Sequence, residues 1–301
     1  MKCHQHHRLT AAHFAATRSE ISRPYPDWRS CFRMSLTTLV AWLIGVISAA
    51  ADQPSYSEDL SKWSENSALQ EDSEQWRRAN WSQQEWVVFL RDGHPAVRAR
   101  KQDKEPGTWA DEQPKLPFAI KQGRAKQGSA GRVYAAKVPD GWIIAFNAGE
   151  FGGGLWWYAP DGQSRYMISY HRVQGFLQTD QGLLALEGLA HLGSDRGEII
   201  QISRGANGKW MSERVVNLGS APDAATRDKD GSLIVVTTKG LLRFRMRKPL
   251  ETLLDHGFWG GLYPNSVIID STGTVYVGMR EGVAKVALTK GQRTVTWLLP
   301  K

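Results

Sequence analysis

The chain has 301 residues, enough for one large domain or two ordinary ones with a sizeable buried core. Its formal charge of +8 is unevenly placed: beyond residue 51 there remain 32 basic and 28 acidic residues, and no cysteine. That leaves no dense basic stripe for nucleic acid, and it excludes disulfide or thiol chemistry downstream of residue 51.

Residues 1–33 contain Arg8, Arg18, Arg23, Arg29 and Arg33, both cysteines and four of the eight histidines, with neither helical nor strand periodicity. An apolar run, Leu36–Ile47, follows Met34, and small residues (Ser48–Ala51) precede Asp52. A basic flank, an apolar segment of about a dozen residues and an A-x-A-like site define a secretory signal peptide, with Ala49 and Ala51 before the cut. A retained anchor is the competing reading, but the run is shorter than the ~20 apolar residues of a membrane span. Met34 is an alternative start, which would make residues 1–33 an over-extended leader. The expected organisation is a leader and signal peptide over 1–51, a polar tether over 52–82 and a folded domain over 83–301. The product would be exported, periplasmic or secreted, with no stable membrane span after cleavage.

Residues 52–82 are polar and charged, with tryptophans at 63, 76 and 81. Such a segment reads as a solvated tether or as a weak helix resting its tryptophans on the main body; a partner-docking peptide is the functional alternative. Strand signals begin at 86–90 (WVVFL), turn at 91–94, and continue at 96–100 (AVRAR) and 116–120 (LPFAI). The prolines and glycine of 101–115 mark a loop. This first unit is degenerate.

Four clearer units follow, each with a glycine in its inner turn: Gly141, Gly182, Gly231 and Gly273. The last two align without a gap at a spacing of 42 residues: Pro222 with Pro264, Asp228 with Asp270, Gly231 with Gly273, Gly240 with Gly282. After each inner-turn glycine comes an apolar strand: 142–146, 183–187, 232–236 and 274–278. Third strands are expected at 155–158, 198–202, 241–244 and 283–286, and fourth strands at 165–170, 210–216, 250–254 and 294–299. Four strands per ~43 residues is the repeat of a β-propeller blade. The predicted fold is all-β, a propeller most simply of five four-stranded blades, or six if 52–82 adds strands. Period-2 patterning excludes a helical domain.

The phrases at 222–237 (PDAATRDKDGSLIVVT) and 264–278 (PNSVIIDSTGTVYVG) resemble inner hairpins of a large propeller group. It contains the gluconolactonase/senescence-marker family, strictosidine-synthase-like proteins, NHL repeats and two-component-regulator propellers. The resemblance covers roughly residues 131–301 and implies the blade type; activity varies within the group. In the gluconolactonase family an Asn and an Asp near inner-strand starts, with an early Glu, hold a divalent cation such as Ca²⁺ over the central channel. By that resemblance Asp223 and Asn265 would be metal ligands. The sequence departs from the pattern: Ser266 follows the Asn where the family has Gly, the Asp comes first along the chain, and no early Glu occupies an inner-strand start.

In blade geometry, inner-strand entries and the loops between second and third strands share one face. The glycine-to-glycine spacing across those loops is 9 residues in the last two units, but 13 between Gly141 and Gly154 and 15 between Gly182 and Gly197. Both insertions enlarge that face, as does the long entry loop 255–264. The expected ligand-binding residues there are Glu150, His171, Gln174, Glu187, His191, Trp259, Tyr263 and Arg280. Each has a plainer reading. Glu187 and His191 would be solvated, Trp259 and Tyr263 would plug the channel, and Asp223 and Asn265 would bond the backbone at strand entry. No nucleophile pairs with a base, and the histidines at 94, 171, 191 and 256 lack metal-ligand spacing.

These features predict an exported, non-enzymatic, monomeric propeller that needs no cofactor. It would bind a small molecule or an envelope protein on the insertion-bearing face. The alternatives are a metal-dependent, lactonase-like hydrolase and a cell-envelope assembly scaffold docking through 52–82.

Overall fold

The computed structural model describes residues 56–100, 114–289 and 292–301. Pro54–Lys301 forms one compact unit; the expected leader and signal peptide, over 1–51, lie outside the described residues. In chain order the first elements are a strand β1 (Ser64–Ser67), a short helix α1 (Glu74–Asn80) and the hairpin β2 (Trp86–Arg91) and β3 (His94–Ala99). Three antiparallel sheets of four sequential strands follow. The first comprises β4 (Arg132–Val138), β5 (Gly141–Asn147), β6 (Gly153–Tyr158) and β7 (Arg165–Ser169). The second comprises β8 (Val173–Thr179), β9 (Gly182–His191), β10 (Ser194–Arg204) and β11 (Trp210–Asn217). The third comprises β12 (Pro222–Arg227), β13 (Leu233–Thr237), β14 (Leu241–Phe244) and β15 (Glu251–Leu254). The last sheet contains β16 (Ser266–Ile269), β17 (Val275–Gly278), β18 (Val283–Thr289) and β19 (Gln292–Leu299).

This is a propeller. From β4–β7 onward each sheet meets the next face to face, the last meeting the hairpin β2–β3, and the apolar core is divided among those interfaces. Ile143, Ala145 and Leu155 pack against Phe176, Ala185 and Ile200, joining the first two four-stranded sheets. Leu184, Leu186 and Ile199 then pack against Leu233, Val235 and Phe244. Ile234 and Val236 meet Val275, Val277 and Trp297. Ile268, Val283 and Leu298 meet Trp86, Val88 and Val97 of the first hairpin. The second strand of a blade therefore touches protein on both faces, which is why Ile143–Phe146 and Leu233–Val236 are continuous apolar runs buried along their length.

Three expectations are corrected. The first blade is a two-stranded hairpin rather than a four-stranded sheet among the described residues, and the last sheet has five strands because β1 pairs with β19, Ser64 opposite Leu299 through Ser67 opposite Thr296. LPFAI is not a strand. Pro114 and Pro117 remove ladder donors, and Leu116, Phe118 and Ile120 instead cover the outer face of the β4–β7 sheet, with Phe118 stacked on Tyr158 at 5.9 Å.

Residues 56–82, expected as a solvated tether or as a weak helix resting its tryptophans on the body, take the second form and are docked. Trp63 is buried, edge-on to Trp86 at 4.8 Å, and its Nε1 donates to the Ser57 carbonyl at 2.7 Å. Trp76 of α1 donates from Nε1 to the Phe258 carbonyl at 3.1 Å, and Ala79 enters the core. The charged residues that suggest a solvated segment face outward, and the tryptophans and small apolar residues between them make the contact. Trp81 alone of the three stays exposed.

Candidate functional site

The insertion-bearing face is built as its spacing predicts, but the two insertions fold differently. The first closes with a short 3₁₀ turn, Gly149–Phe151. The second is no loop: β9 and β10 extend into a hairpin that turns at Leu192–Gly193. At its base Gly188 and Gly197 lie opposite each other, and a Cβ on either would come within 2.5 Å of the Pro222 ring. Two facing glycines thus let the entry of β12 lie flat against the hairpin.

That contact brings in Asp195, a residue the sequence reading missed. From the hairpin its Oδ1 accepts the Ala221 N–H at 2.7 Å, and Thr238 Oγ1 donates to both oxygens at 2.9 and 3.0 Å. Lys239 Nζ stands 3.3 Å away. In sequence Asp195 follows a turn and looks solvated; only the approach of β12 gives it partners.

The starts of two inner strands carry bulges. In the β8–β9 ladder Val173 faces Glu187 and Gly175 faces Leu186, leaving Gln174 unpaired. In the β12–β13 ladder Pro222 faces Thr237 and Ala224 faces Val236, leaving Asp223 unpaired. A bulge re-aims the side chain of its extra residue. Here both unpaired residues line one cavity of about 340 Å³, together with Asn147, Thr238, Trp259 and Tyr263. Gln174 also donates to the Gly188 carbonyl at 3.2 Å.

Asp223 is the unusual group. Its residue keeps some surface toward the cavity, yet Oδ2 is out of reach of solvent and has no hydrogen-bond partner among the described residues. Burial, with a smaller contribution from the Asp195 charge, pushes its carboxyl up to about 8. Asn265, the other expected metal ligand, does not share this cavity's lining. Ser266, the next residue, pairs regularly with Gly278. The Asn265 Oδ1 accepts the Ser266 hydroxyl at 2.9 Å, and Ser266 Oγ accepts the Val88 N–H, tying β16 to β2. The Asn265 Nδ2 is buried without a partner among the described residues.

The remaining candidates divide into two groups. Trp259 lines the cavity but is fully buried, with Nε1 donating to the Thr237 carbonyl at 2.9 Å, so it also supports the entry loop. Tyr263 is half exposed, and Arg280 lies over its ring at 4.0 Å while bonding Glu85 and the Asn80 carbonyl at the end of α1. Glu150 and His191 approach to 3.9 Å, both well exposed, a rim pair of little strength. His171 faces Glu187 at 3.9 Å and Glu198 at 4.0 Å. Burial alone would raise the Glu187 carboxyl, but the adjoining His171 side chain, the Arg172 N–H and the Arg196 charge outweigh that and hold it below the usual range. Glu198 was missed because its place opposite Glu187 needs the register of β9 and β10.

A larger cavity, about 660 Å³, lies between the first hairpin and the last sheet. Several of its charged groups are paired with one another, Arg91 with Glu58 at 2.6 Å and Lys285 with Glu65 at 2.9 Å. In the Asp223 cavity, by contrast, Asp223 Oδ2 has no such partner among the described residues.

No protein-family model matches the chain, and no curated protein matches it either. Among solved structures, the extracellular domain of a hybrid two-component system from B. thetaiotaomicron is similar at 14% identity and a TM-score of 0.36, over 51% of this chain and 21% of that one. A protein assigned as a gluconolactonase is similar at 14% identity and 0.34, over 54% and 61%. Virginiamycin B lyase from Staphylococcus aureus is similar at 12% identity and 0.36, over 58% and 58%. The chain spans less than two thirds of each. All three belong to the propeller group that the repeat phrases resemble. At these values they carry nothing about activity, and the fold stands on the sheet order itself.

Proposed function

We propose that this chain is an exported, non-enzymatic binding propeller that takes a small polar ligand into the Asp223 cavity. The observation that carries the reading is the pair of bulges: two successive inner strands each turn one polar residue, Gln174 and Asp223, toward a single cavity of ligand size. The carboxyl of Asp223 offers a hydrogen bond in surroundings where it is worth more than in water, and Thr238 and Tyr263 add hydroxyls. Export rests on the apolar run and small-residue site at 36–51; among the described residues no helix is long and apolar enough to cross a membrane.

A lactonase-like hydrolase using Asp223 and Asn265 on a divalent cation has less support, since Asn265 is engaged with Ser266 and lies outside the cavity lining. A scaffold docking through 52–82 is also disfavoured, because Trp63 and Trp76 already hold that segment to the body.

Thermal shift against a panel of small amines, amino acids and monosaccharides tests the proposal. A compound that raises Tm in the wild type but not in Asp223→Asn or Gln174→Ala supports it. Compounds that stabilise all three proteins equally would place binding elsewhere, and a panel without effect on the wild type would remove the small-molecule reading.

A further inference from the structure

We propose that His171, Glu187 and Glu198 form a binding site for a divalent transition-metal ion of the zinc class, separate from the Asp223 cavity and independent of its ligand. One ligand atom from each residue lies within 4.8 Å of the others. The His171 Nδ1 stands 3.9 Å from Glu187 Oε2 and 4.0 Å from Glu198 Oε1. All three side chains are mostly enclosed, at 21, 13 and 19% exposure.

The arrangement is difficult to explain as a solvated surface. Glu187 and Glu198 are directly opposite in the β9–β10 ladder, and like charges in that position repel. The other side of the imidazole fixes what faces them. Ser212 Oγ donates to Ser169 Oγ at 2.9 Å and lies 3.4 Å from His171 Nε2, where its lone pair can take an Nε2–H. In that tautomer the Nδ1 lone pair faces the carboxylates. Three electron-rich atoms then converge, and a metal ion set between them would offset a repulsion that Arg196 and Arg214 meet only from the edge. The hydroxyl behind the ring is the kind of support that orients a metal-bound histidine. The Arg172 N–H, 3.3 Å from Glu187 Oε2, steadies one carboxylate. Arg214 reaches the other at Glu198 Oε2, 3.7 Å, from a largely exposed position, leaving Oε1 free for a metal.

Coordination distances fit with modest closure. Zinc bonds of ~2.0–2.1 Å in tetrahedral geometry place ligand atoms roughly 3.4 Å apart, so each side chain would move inward by about half an ångström. One imidazole and two carboxylates suit Zn²⁺, Mn²⁺, Fe²⁺ or Co²⁺; Ca²⁺ prefers six to eight oxygens. Three protein ligands leave an open position facing the partly exposed side, where water or an anionic group would complete the shell.

The test is titration of the EDTA-treated, dialysed full chain with Zn²⁺ and Co²⁺, reading Tm and the visible Co²⁺ absorption. Zinc at ~100 times its dissociation constant should raise Tm by about 5–10 °C, and Co²⁺ should give a visible band. Both should vanish in the double variant Glu187→Gln, Glu198→Gln, which leaves every histidine in place, His4, His6 and His7 included. Metal binding that persists in that variant overturns the proposal, assigning the metal to histidines elsewhere. Absence of any shift or band in the wild type also overturns it. If the double variant does not fold, cadmium NMR of the wild-type chain decides. One nitrogen among oxygen ligands is the expected signature, and a multi-nitrogen site overturns the proposal.

Discussion

Asp223 couples the candidate site to stability through its proton. Its carboxyl titrates at about 8 in the folded chain, raised first by burial and then by Asp195, against 3.8 when exposed. The charge that acts on it is that of Asp195, which is itself paired with Lys239 at 3.3 Å. Between those two pH values the native state holds a proton that the unfolded chain has released. Stability from this group is therefore complete below pH 3.8 and is lost as pH rises toward about 8. Asp223→Asn is expected to remove that slope and to stabilise the protein at pH 8 by a few kcal/mol, at ~1.4 kcal/mol per unit of displacement. Urea unfolding at pH 4.5 and pH 8 measures it; an unchanged slope in the variant would assign the titration to another residue. In sequence, Asp223 and Gln174 are visible as polar residues at strand entries. Their burial is not, because it depends on a bulge and on a neighbouring hairpin.

At the scale of elements, the long hairpin of β9 and β10 positions the site, and its glycines permit that. Gly197→Ala would place a Cβ 2.5 Å from both the Pro222 ring and the Ser220 carbonyl. One of these is backbone, so the entry of β12 must shift. A loss of ~1–3 kcal/mol is expected, as for other overpacked positions, with weaker ligand capture at Asp223. Chemical denaturation of the variant checks the first and the thermal-shift panel the second. Helix α1 makes the opposite case, an element whose propensity is weak and whose place is set by one aromatic. At seven residues it is too short to be stable alone. Trp76→Ala would remove the bond to Phe258 and the packing over Gly261, costing ~2 kcal/mol and loosening α1. Faster amide exchange across 74–80, with the blades unaffected, is the expected result. Exchange that rises equally everywhere would mean that α1 is part of the global core.

For the whole molecule, the N-terminal strand matters more than its composition suggests. With β1 in place, β19 has a partner on its outer side, and the sequence-distant ends of the compact unit share one sheet. Deleting residues 1–67 would strip that partner and the Trp63 anchor, exposing an edge with free backbone donors and acceptors. The shortened chain is expected to self-associate with rising concentration and to unfold at lower temperature, while the intact chain stays monomeric. Light scattering over a concentration series distinguishes them, and a monodisperse deletion variant would show that β1 is dispensable.

The blade repeat was legible because each strand carries its own local signal. Continuous apolar runs mark second strands, and glycines and aspartates mark turns, as in Asp270 accepting the Thr272 and Thr274 N–H groups at 2.8 and 3.0 Å. The enlarged face was legible for the same reason, since insertion length is a property of the sequence between two glycines. What joins distant segments left no such mark. Nothing local tells Ser64–Ser67 that its ladder partner lies at the far end of the chain, tells Asp195 that Ala221 and Thr238 will supply its donors, or sets Glu198 opposite Glu187. Those pairings are fixed by register and by blade-on-blade packing. Sequence by itself therefore determined the strands, the turns and the face, and tertiary structure decided which polar groups meet on it.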